Sequence, residues 1–169
     1  VKKLKVGHAG TLDPLATGLL VICIGKHTKT IESLTADNKI YTGTFLLGKT
    51  TPSYDLETAF NTDKSTQGIT TQQINDVCAT FIGIQDQIPP LFSAKQIDGK
   101  RAYDLARAGI QHELKPNKIE ISHIEVNTDS FPEVKFKINC SKGTYIRSLA
   151  HDFGQKLDCG ATLIELRRT

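Results

Sequence analysis

The stretch VKFKINCSKGTYIRSLAHDFG, residues 134–154, changes its hydrophobic period part-way along and thereby indicates how the chain folds. Its first seven residues alternate apolar with polar side chains, the pattern of a strand that has one face in water. After the junction SKGT, apolar residues recur every three or four positions, as on a helix that buries one face. These helical positions are Ile146, Leu149, Ala150, Phe153 and Leu157. The segment therefore predicts a half-buried strand that leads directly into an amphipathic helix.

The other periodic segments are shorter and also interleave strands with helices. Residues 70–81 predict a helix, because Thr70 and Gln73 have capping-box spacing and the apolar residues after them keep a helical interval. Residues 19–25 predict a buried strand, residues 28–34 a short helix, and residues 40–47 and 163–166 two further strands. Because the order lacks regular strand–helix–strand alternation, we expect the α+β class, with a mixed, largely antiparallel sheet flanked by helices.

Residues 87–115 interrupt this pattern. They open with Pro89 and Pro90, contain an Asp98-Gly99 turn signal, and close with a short predicted helix at residues 101–108. We interpret this segment as an insertion in a single domain that otherwise spans residues 1–169.

Composition narrows the class of protein. No apolar run is long enough to span a bilayer, and four cysteines without metal or C-x-x-C spacing indicate reduced thiols, which suits the cytoplasm. The net charge of +3 permits an anionic partner, and basic residues cluster near both ends and within residues 95–107. The chain starts at Val1 rather than methionine, and we expect it to be a fragment of a longer protein.

The loop HAGTLDPLATG, residues 8–18, carries a single acid, Asp13, among apolar neighbours. In one interpretation, Asp-Pro opens a turn and the carboxylate accepts hydrogen bonds from nearby backbone N–H groups. In the other, a basic partner keeps the carboxylate charged, because an isolated buried charge is costly. Arg147, at the strand-to-helix junction, could supply two parallel hydrogen bonds. If the helix were already regular at residue 145, however, Tyr145 and Arg147 would point about 200° apart.

Two other chemistries are disfavoured by spacing. The glycines of the loop match neither the phosphate-loop pattern nor the dinucleotide fingerprint. No G-x-S-x-G motif is present, so a Ser-His-Asp hydrolase has no support either.

Five segments, spread over nearly the whole chain, match the motifs of a known family in the same order. They are HAGTLDPLATG, NKIYTGTF, QIPPLFSAKQIDGKRAYDLARAG, CSKGTYIRSLAHDFG and CGATLIELRR. In order and spacing they resemble the TruB family, the bacterial tRNA pseudouridine-55 synthases. The resemblance implies the pseudouridine synthase fold, with residues 87–115 as the thumb that orders over the RNA.

The family's functional residues carry over position by position. The resemblance implies that Asp13 is the catalytic nucleophile, supported by Tyr41, Tyr145, Arg147 and Leu166 around the target base. It also implies RNA contacts, with His8 filling the space left by the extruded base. The basic positions expected near the RNA are Lys29, Lys95, Lys100, Arg101 and Arg168. The thumb lysine departs from the family pattern, since Lys95 lies one position before the usual lysine, which Gln96 replaces.

The implied reaction detaches uracil, turns it and rejoins it through C5, so the resemblance implies neither cofactor nor metal. The expected partner is the T arm of tRNA, bound by a monomer that uses no membrane. Whether Asp13 attacks C6 of the base or the ribose carbon stays open. Two other functions also stay open: a guide-RNA-dependent rRNA pseudouridine synthase and a non-catalytic tRNA-binding or folding module. The family's opening strand and the C-terminal RNA-binding domain of many members are not present in the sequence.

Overall fold

The computed structural model describes residues 4–93, 96–97, 100–101 and 114–169. Its helices are a 3₁₀ helix at Gly25–Thr30, α1 at Ile31–Ala36, α2 at Thr71–Ala79 and α3 at Ile146–Lys156. The first strands are β1 Val6–His8, β2 Thr17–Gly18, β3 Ile22–Ile24, β4 Lys39–Leu47, β5 Lys49–Thr50 and β6 Thr62–Asp63. The later strands are β7 Gly83–Gln87, β8 Gln96–Ile97, β9 Lys100–Arg101, β10 Asn117–Ser130, β11 Glu133–Cys140 and β12 Ala161–Arg168.

A six-stranded sheet forms the centre of the fold, in the order β2-β12-β4-β11-β10-β7. Strand β2 runs parallel to β12, and the other neighbours are antiparallel. Helices α2 and α3 contact one another and pack against strands of this sheet. The predicted α+β class with a mixed, largely antiparallel sheet is confirmed.

The core lies between the sheet and these helices. The rings of Phe45 and Phe136 stack at 4.2 Å between centroids, and the Phe153 ring of α3 lies 5.5 Å from that of Phe45. Phe45 and Phe153 are fully buried. Because burying such a side chain contributes roughly 1.5–3 kcal/mol, this packing anchors α3 on the sheet.

The strand-to-helix unit forms as its sequence predicts. Along β11 the apolar side chains are buried and the lysines exposed. The turn that follows places Gly143 at a φ of 79°, in the left-handed region that glycine adopts without strain. Helix α3 then begins at Ile146, and its apolar stripe is buried. The capping box predicted for α2 is also present, with hydrogen bonds between Thr70 and Gln73 in both directions.

The prediction of a buried strand at residues 19–25 is wrong. Only residues 22–24 form a strand, and the side chains of Leu19 and Ile22 are 57% and 52% exposed. The reason is that β3 pairs with β1 in a separate two-stranded sheet, in which Cys23 faces inward while its neighbours face out. An apolar run becomes buried only where other elements cover both of its faces.

Three strands of the central sheet have no counterpart among the predicted elements: the two-residue β2, β7 and β10. Strand β10 alternates apolar and polar residues, but a register shift between Ile121 and His123 moves Ile124 out of phase with Ile121. Such a bulge conceals the period of two that identifies a strand. Strand β7 is short and mostly polar, and it pairs with β10 at the edge of the sheet.

Most of the predicted insertion at residues 87–115 lies outside the described residues, including Lys95 and the Asp98-Gly99 turn. Lys100 and Arg101 belong to β9, which pairs with β8, so Arg101 lies in a strand rather than at the start of the predicted helix. The remainder of that helix lies outside the described residues.

All four cysteines are free and buried. Burial raises the pKa of the Cys78 thiol to about 11, which disfavours its reactive thiolate form. The longest helix in the described ranges is α3, with 11 residues, and no helix there has the length and apolar character needed to cross a membrane.

Candidate active site

The Asp13 loop is a surface excursion whose two ends are tied to strands. At its start, the Ala9 N–H donates to the Val21 carbonyl at 2.9 Å. At its end, β2 pairs with the last residues of β12. Within the loop, the Ala16 N–H donates to the Asp13 carbonyl at 2.9 Å, which closes a turn around Pro14. The Asp-Pro turn and a paired carboxylate therefore coexist, because the turn uses the backbone of Asp13 and leaves its side chain free for a partner.

That partner is Arg147, 134 residues away along the chain. Arg147 Nε donates to Asp13 Oδ2 at 3.0 Å, and Arg147 Nη2 donates to Asp13 Oδ1 at 2.7 Å. Its Nη1 donates to the Phe92 carbonyl at 2.8 Å. The Arg147 side chain is only 5% exposed, whereas that of Asp13 is 28% exposed. The predicted pair is thus present, with the guanidinium buried behind the carboxylate and the carboxylate reachable from outside.

A second carboxylate, which the sequence reasoning missed, lies against the same guanidinium. Asp55 Oδ2 is 3.5 Å from Arg147 Nε, and the Asp55 side chain is 6% exposed. Hydrogen bonds fix Asp55 from two directions, because Glu57 N–H donates to Asp55 Oδ1 and the Thr51 hydroxyl donates to the Asp55 carbonyl. The two acids hold Arg147 between them. The only sequence signal for Asp55 is an acid within a polar turn, TTPSYDLET, which is common at protein surfaces.

The turn that carries Asp55 also rests on α3. Tyr54 has a φ of 65°, which is unusual for a residue with a side chain. Its ring stacks on His151 with the centroids 4.1 Å apart. His151 lies one helical turn after Arg147, so one face of α3 contacts both Asp55, through Arg147, and Tyr54, through His151.

Tyr145 precedes helix α3, so its side chain need not point about 200° away from that of Arg147, as it would on a regular helix. Its φ of −100° and ψ of 108° are extended, so the rotation of 100° per residue does not yet apply to it. Buried Gln87 holds this extended residue from both sides. The Tyr145 N–H donates to Gln87 Oε1 at 2.8 Å, and Gln87 Nε2 donates to the Tyr145 carbonyl at 3.0 Å. Gln87 is a second residue that the sequence reasoning missed.

These side chains line one cavity of about 270 Å³. The predicted residues that line it are Asp13, Tyr41, Tyr145, Arg147, Leu166 and Arg168. Burial raises the pKa of both tyrosines, so each hydroxyl keeps its proton at neutral pH. The cavity therefore combines one accessible carboxylate with two neutral phenols and the apolar side chain of Leu166. This arrangement suits a flat, polar-edged ligand that is attacked by a nucleophile.

Lys39 closes one side of the cavity. Its ammonium donates to the Leu34 and Thr35 carbonyls at 3.3 and 2.8 Å, at the C-terminal end of α1. This is where the helix dipole attracts positive charge. Burial lowers the pKa of Lys39. The lysine thus joins α1 to β4, two residues before Tyr41.

Comparison with known proteins identifies the family. The family model described as "TruB family pseudouridylate synthase (N terminal domain)" matches residues 1–146. The chain belongs to the TruB family. Arg147, Leu166 and Arg168, which line the same cavity as Asp13, lie beyond the residues that the family model matches.

Relatives over the full length of the chain agree with this family. The chain is 53% identical over 169 residues to a protein from Bacteroides fragilis named tRNA pseudouridine synthase B, of which it covers 72%. It is 52% identical over 168 residues to a protein of the same name from Flavobacterium johnsoniae, of which it covers 73%.

Solved structures share the TruB fold. A Cbf5-Nop10-Gar1 complex matches with a TM-score of 0.71 and 29% identity, over 98% of this chain and 40% of the solved chain. An H/ACA RNP bound to a substrate RNA containing 2'-deoxyuridine matches with a TM-score of 0.66 and 26% identity, over 98% and 38% of the two chains. The chain therefore spans well under half of these solved chains.

The RNA-contact residues that the TruB resemblance implies lie in different settings. His8 is exposed on β1 and Lys29 is exposed in the 3₁₀ helix, and neither lines the cavity. Arg168 differs from the expected surface cation, because it is only 5% exposed and donates to backbone carbonyls. The cause is the parallel pairing of β2 with β12, which lays the Asp13 loop over its side chain. Contacts of these residues with RNA stay predictions.

Proposed function

We propose that this chain is the catalytic part of a tRNA pseudouridine synthase that converts uridine 55 of the T loop, with Asp13 as the nucleophile. The observation that carries the proposal is the accessible Asp13 carboxylate, held by two hydrogen bonds from buried Arg147 in a cavity of about 270 Å³. Relatives at 53% and 52% identity bear the name tRNA pseudouridine synthase B.

The reaction is an isomerisation, and its atoms balance without a redox partner. The N1–C1′ bond breaks, a C5–C1′ bond forms, the C5 hydrogen leaves as a proton, and N1 gains a proton. A carboxylate nucleophile can add to the base at C6 or bond to C1′, and the adduct holds the base in the first case and the ribose in the second covalently on the enzyme. Asp13 is suited to both routes because Arg147 fixes its two oxygens while part of the side chain faces the cavity. No step in this scheme requires a cofactor.

The other cavity residues have roles that follow from their chemistry. Tyr41, protonated at neutral pH, would stack on the base and donate its hydroxyl proton. Leu166, 9% exposed, and the ring of Tyr145 would exclude water, so that the detached uracil is not lost. The target must leave its base stack to enter the cavity, at a cost of a few kcal/mol.

The wider interaction with tRNA belongs to the same proposal. The single catalytic domain acts as a monomer in the cytoplasm, with residues 87–115 as a thumb over the T arm. His8 fills the vacated stack, and phosphates are held by Lys29, Lys95, Lys100 and Arg101. Because each phosphate contact releases counterions, binding should weaken as salt rises.

A guide-RNA-dependent synthase is the second candidate, and the likeness to the Cbf5 and H/ACA structures favours it. Their identities of 29% and 26% are well below the 53% shared with a tRNA pseudouridine synthase B. The two candidates differ in one observable property, because only the guide-dependent enzyme would require a second RNA to act.

The test measures tritium released from C5-labelled uridine in tRNA by the full-length protein without any guide RNA. Three substrates are compared: unmodified tRNA, the same tRNA with its T-loop uridine replaced, and a T-arm hairpin. We expect release from the first and third substrates only. Release that appears only when a guide RNA is added would support the second candidate.

The variant that tests the nucleophile is Asp13→Asn, which keeps the shape of the side chain. We expect it to abolish release while tRNA binding changes by no more than about threefold, since the carboxylate acts in the reaction rather than in binding. Asp86→Asn, at an exposed position on β7, is the control. Substantial release by Asp13→Asn would refute the catalytic assignment of Asp13, and would leave that residue a binding or folding role.

A further inference from the structure

Arg168 makes three hydrogen bonds to the two ends of the Asp13 loop. Its Nε donates to the Leu19 carbonyl at 2.8 Å, its Nη1 to the Thr11 carbonyl at 3.3 Å, and its Nη2 to the Gly10 carbonyl at 3.2 Å. One guanidinium therefore bridges the start and the end of the loop, with Asp13 in between. Arg168 is almost completely buried, with 5% of its surface exposed.

The backbone of the same residue reinforces this bridge. Arg168 pairs with Gly18 of β2 and with Tyr41 of β4, and its carbonyl accepts a hydrogen bond from the Leu19 N–H at 2.9 Å. A Cβ at Gly18 would lie 2.0 Å from the Arg168 carbonyl oxygen, and one at Gly10 would lie 3.4 Å from Arg168 Nη1. Gly18 is thus required for the close approach of β12 to the end of the loop. Gly10, at the start of the loop, has a positive φ, which glycine adopts without strain.

The guanidinium also reaches Tyr41 on the other side. Burial raises the pKa of the Tyr41 hydroxyl, and a hydrogen bond from Arg168 opposes that rise. A guanidinium has five N–H donors. Three of them donate to backbone carbonyls and Arg168 is only 5% exposed, so little of the planar fork faces the solvent from which a phosphate would approach.

We propose that Arg168 is a positioning residue, which sets the Asp13 loop and Tyr41 in register with each other, and does not act as a phosphate contact. This inference rests on the proposed function, because it concerns the same cavity. Arg168 acts through the two residues it holds. Its loss leaves two backbone carbonyls of the loop and that of Leu19, directly after it, without their donors, so the loop is free to shift. A displacement of about 1 Å at a reacting group can cost about 10²-fold in rate.

Lysine distinguishes positioning from charge, because it keeps the positive charge but lacks the planar fork. In the full-length protein, we expect Arg168→Lys and Arg168→Ala to lower kcat by about 10²-fold. The KM for tRNA should stay within about threefold. The slope of log Kd against log salt should not change, because no phosphate contact is lost. Methylguanidinium added to Arg168→Ala should restore part of kcat.

Arg167 provides a matched control, since it is the adjacent residue of β12 and its side chain is exposed. Arg167→Ala should leave kcat unchanged. Hydrogen exchange gives a readout that does not depend on activity. Amides of residues 9–19 should exchange faster in Arg168→Lys than in the wild type, and at the wild-type rate in Arg167→Ala.

A wild-type kcat in Arg168→Lys, together with a salt slope reduced by about one unit in Arg168→Ala, would overturn the proposal in favour of a phosphate contact. Unchanged exchange of residues 9–19 in Arg168→Lys would overturn it as well. Failure of the proposed function is separate from both results, because it would appear as absence of tritium release by the wild-type protein.

Discussion

Arg147 should be strongly coupled to Asp55 in stability, because the pair is buried and removing one partner leaves the other uncompensated. The test substitution is Arg147→Met, which keeps the apolar stem and removes the cation. The side chains of Arg147 and Asp55 are 5% and 6% exposed, so the remaining Asp55 carboxylate would have little access to water. Breaking a buried pair in this way typically costs about 3–5 kcal/mol in the free energy of unfolding.

Asp55→Asn alone should cost less. The amide oxygen can still accept the Glu57 N–H, and Arg147 keeps its two hydrogen bonds to Asp13 and one to Phe92. We expect about 1–2 kcal/mol, the cost of a lost charged contact. In the double variant the side chain at position 55 is a neutral amide, which needs no cation. The cost of the double variant in the free energy of unfolding should therefore fall about 2 kcal/mol below the sum of the two single costs.

The assay is urea unfolding of the full-length protein at pH 7, followed by circular dichroism, for the wild type and all three variants. An exposed pair, Lys49 and Asp63 at 3.6 Å, is the control, and its double-variant cycle should give less than about 1 kcal/mol. Additive costs for Arg147→Met and Asp55→Asn, within about 0.5 kcal/mol, would refute the coupling. Arg147→Met should also reduce turnover more than tRNA binding, and equal losses would instead indicate a contact with the RNA backbone.

Two further predictions concern pH and backbone conformation. Burial raises the pKa of Asp152 from 3.8 to about 6; the folded state therefore binds this proton more tightly than the unfolded state, and stability falls as pH rises from about 4 to about 6. Asp152→Asn should raise the free energy of unfolding by about 1 kcal/mol at pH 7, a figure reduced to allow for the partial exposure of Asp152, and by almost nothing at pH 4. Urea unfolding at the two pH values measures this difference, with the exposed Asp86→Asn as the control. Gly18→Ala should cost about 2–3 kcal/mol, because φ is 101° and the new Cβ would meet the Arg168 carbonyl oxygen at 2.0 Å. Gly25→Ala, where φ is 62° but no atom lies within 4 Å of the Cβ, should cost only about 1 kcal/mol, and equal thermal shifts for the two variants would contradict the role of this contact.

Local patterns predicted those elements whose stability depends on neighbours within a few residues. The alternation of β11, the stripe of α3 and the capping box of α2 all follow from periods and short spacings that are visible in the chain. The bulge in β10 broke the same kind of pattern, and the strand was missed. The apolar character of residues 19–25 predicted a buried strand. Burial, however, depends on which elements pack on each face of a strand, and the sequence of one segment does not contain that information.

The chemistry of the site divides in the same way. The sequence by itself singled out Asp13 as the distinctive acid and Arg147 as a candidate partner, because a carboxylate among apolar residues requires a compensating charge. Only the tertiary structure decided that Asp55 shares this arginine, that Gln87 holds Tyr145 in an extended conformation, and that Arg168 lies buried beneath the Asp13 loop. The contacts of Arg168 join residues 149 to 158 positions apart through backbone carbonyls. Every residue carries such a carbonyl, so the choice of partner leaves no trace in the local sequence and is made by the path of the folded chain.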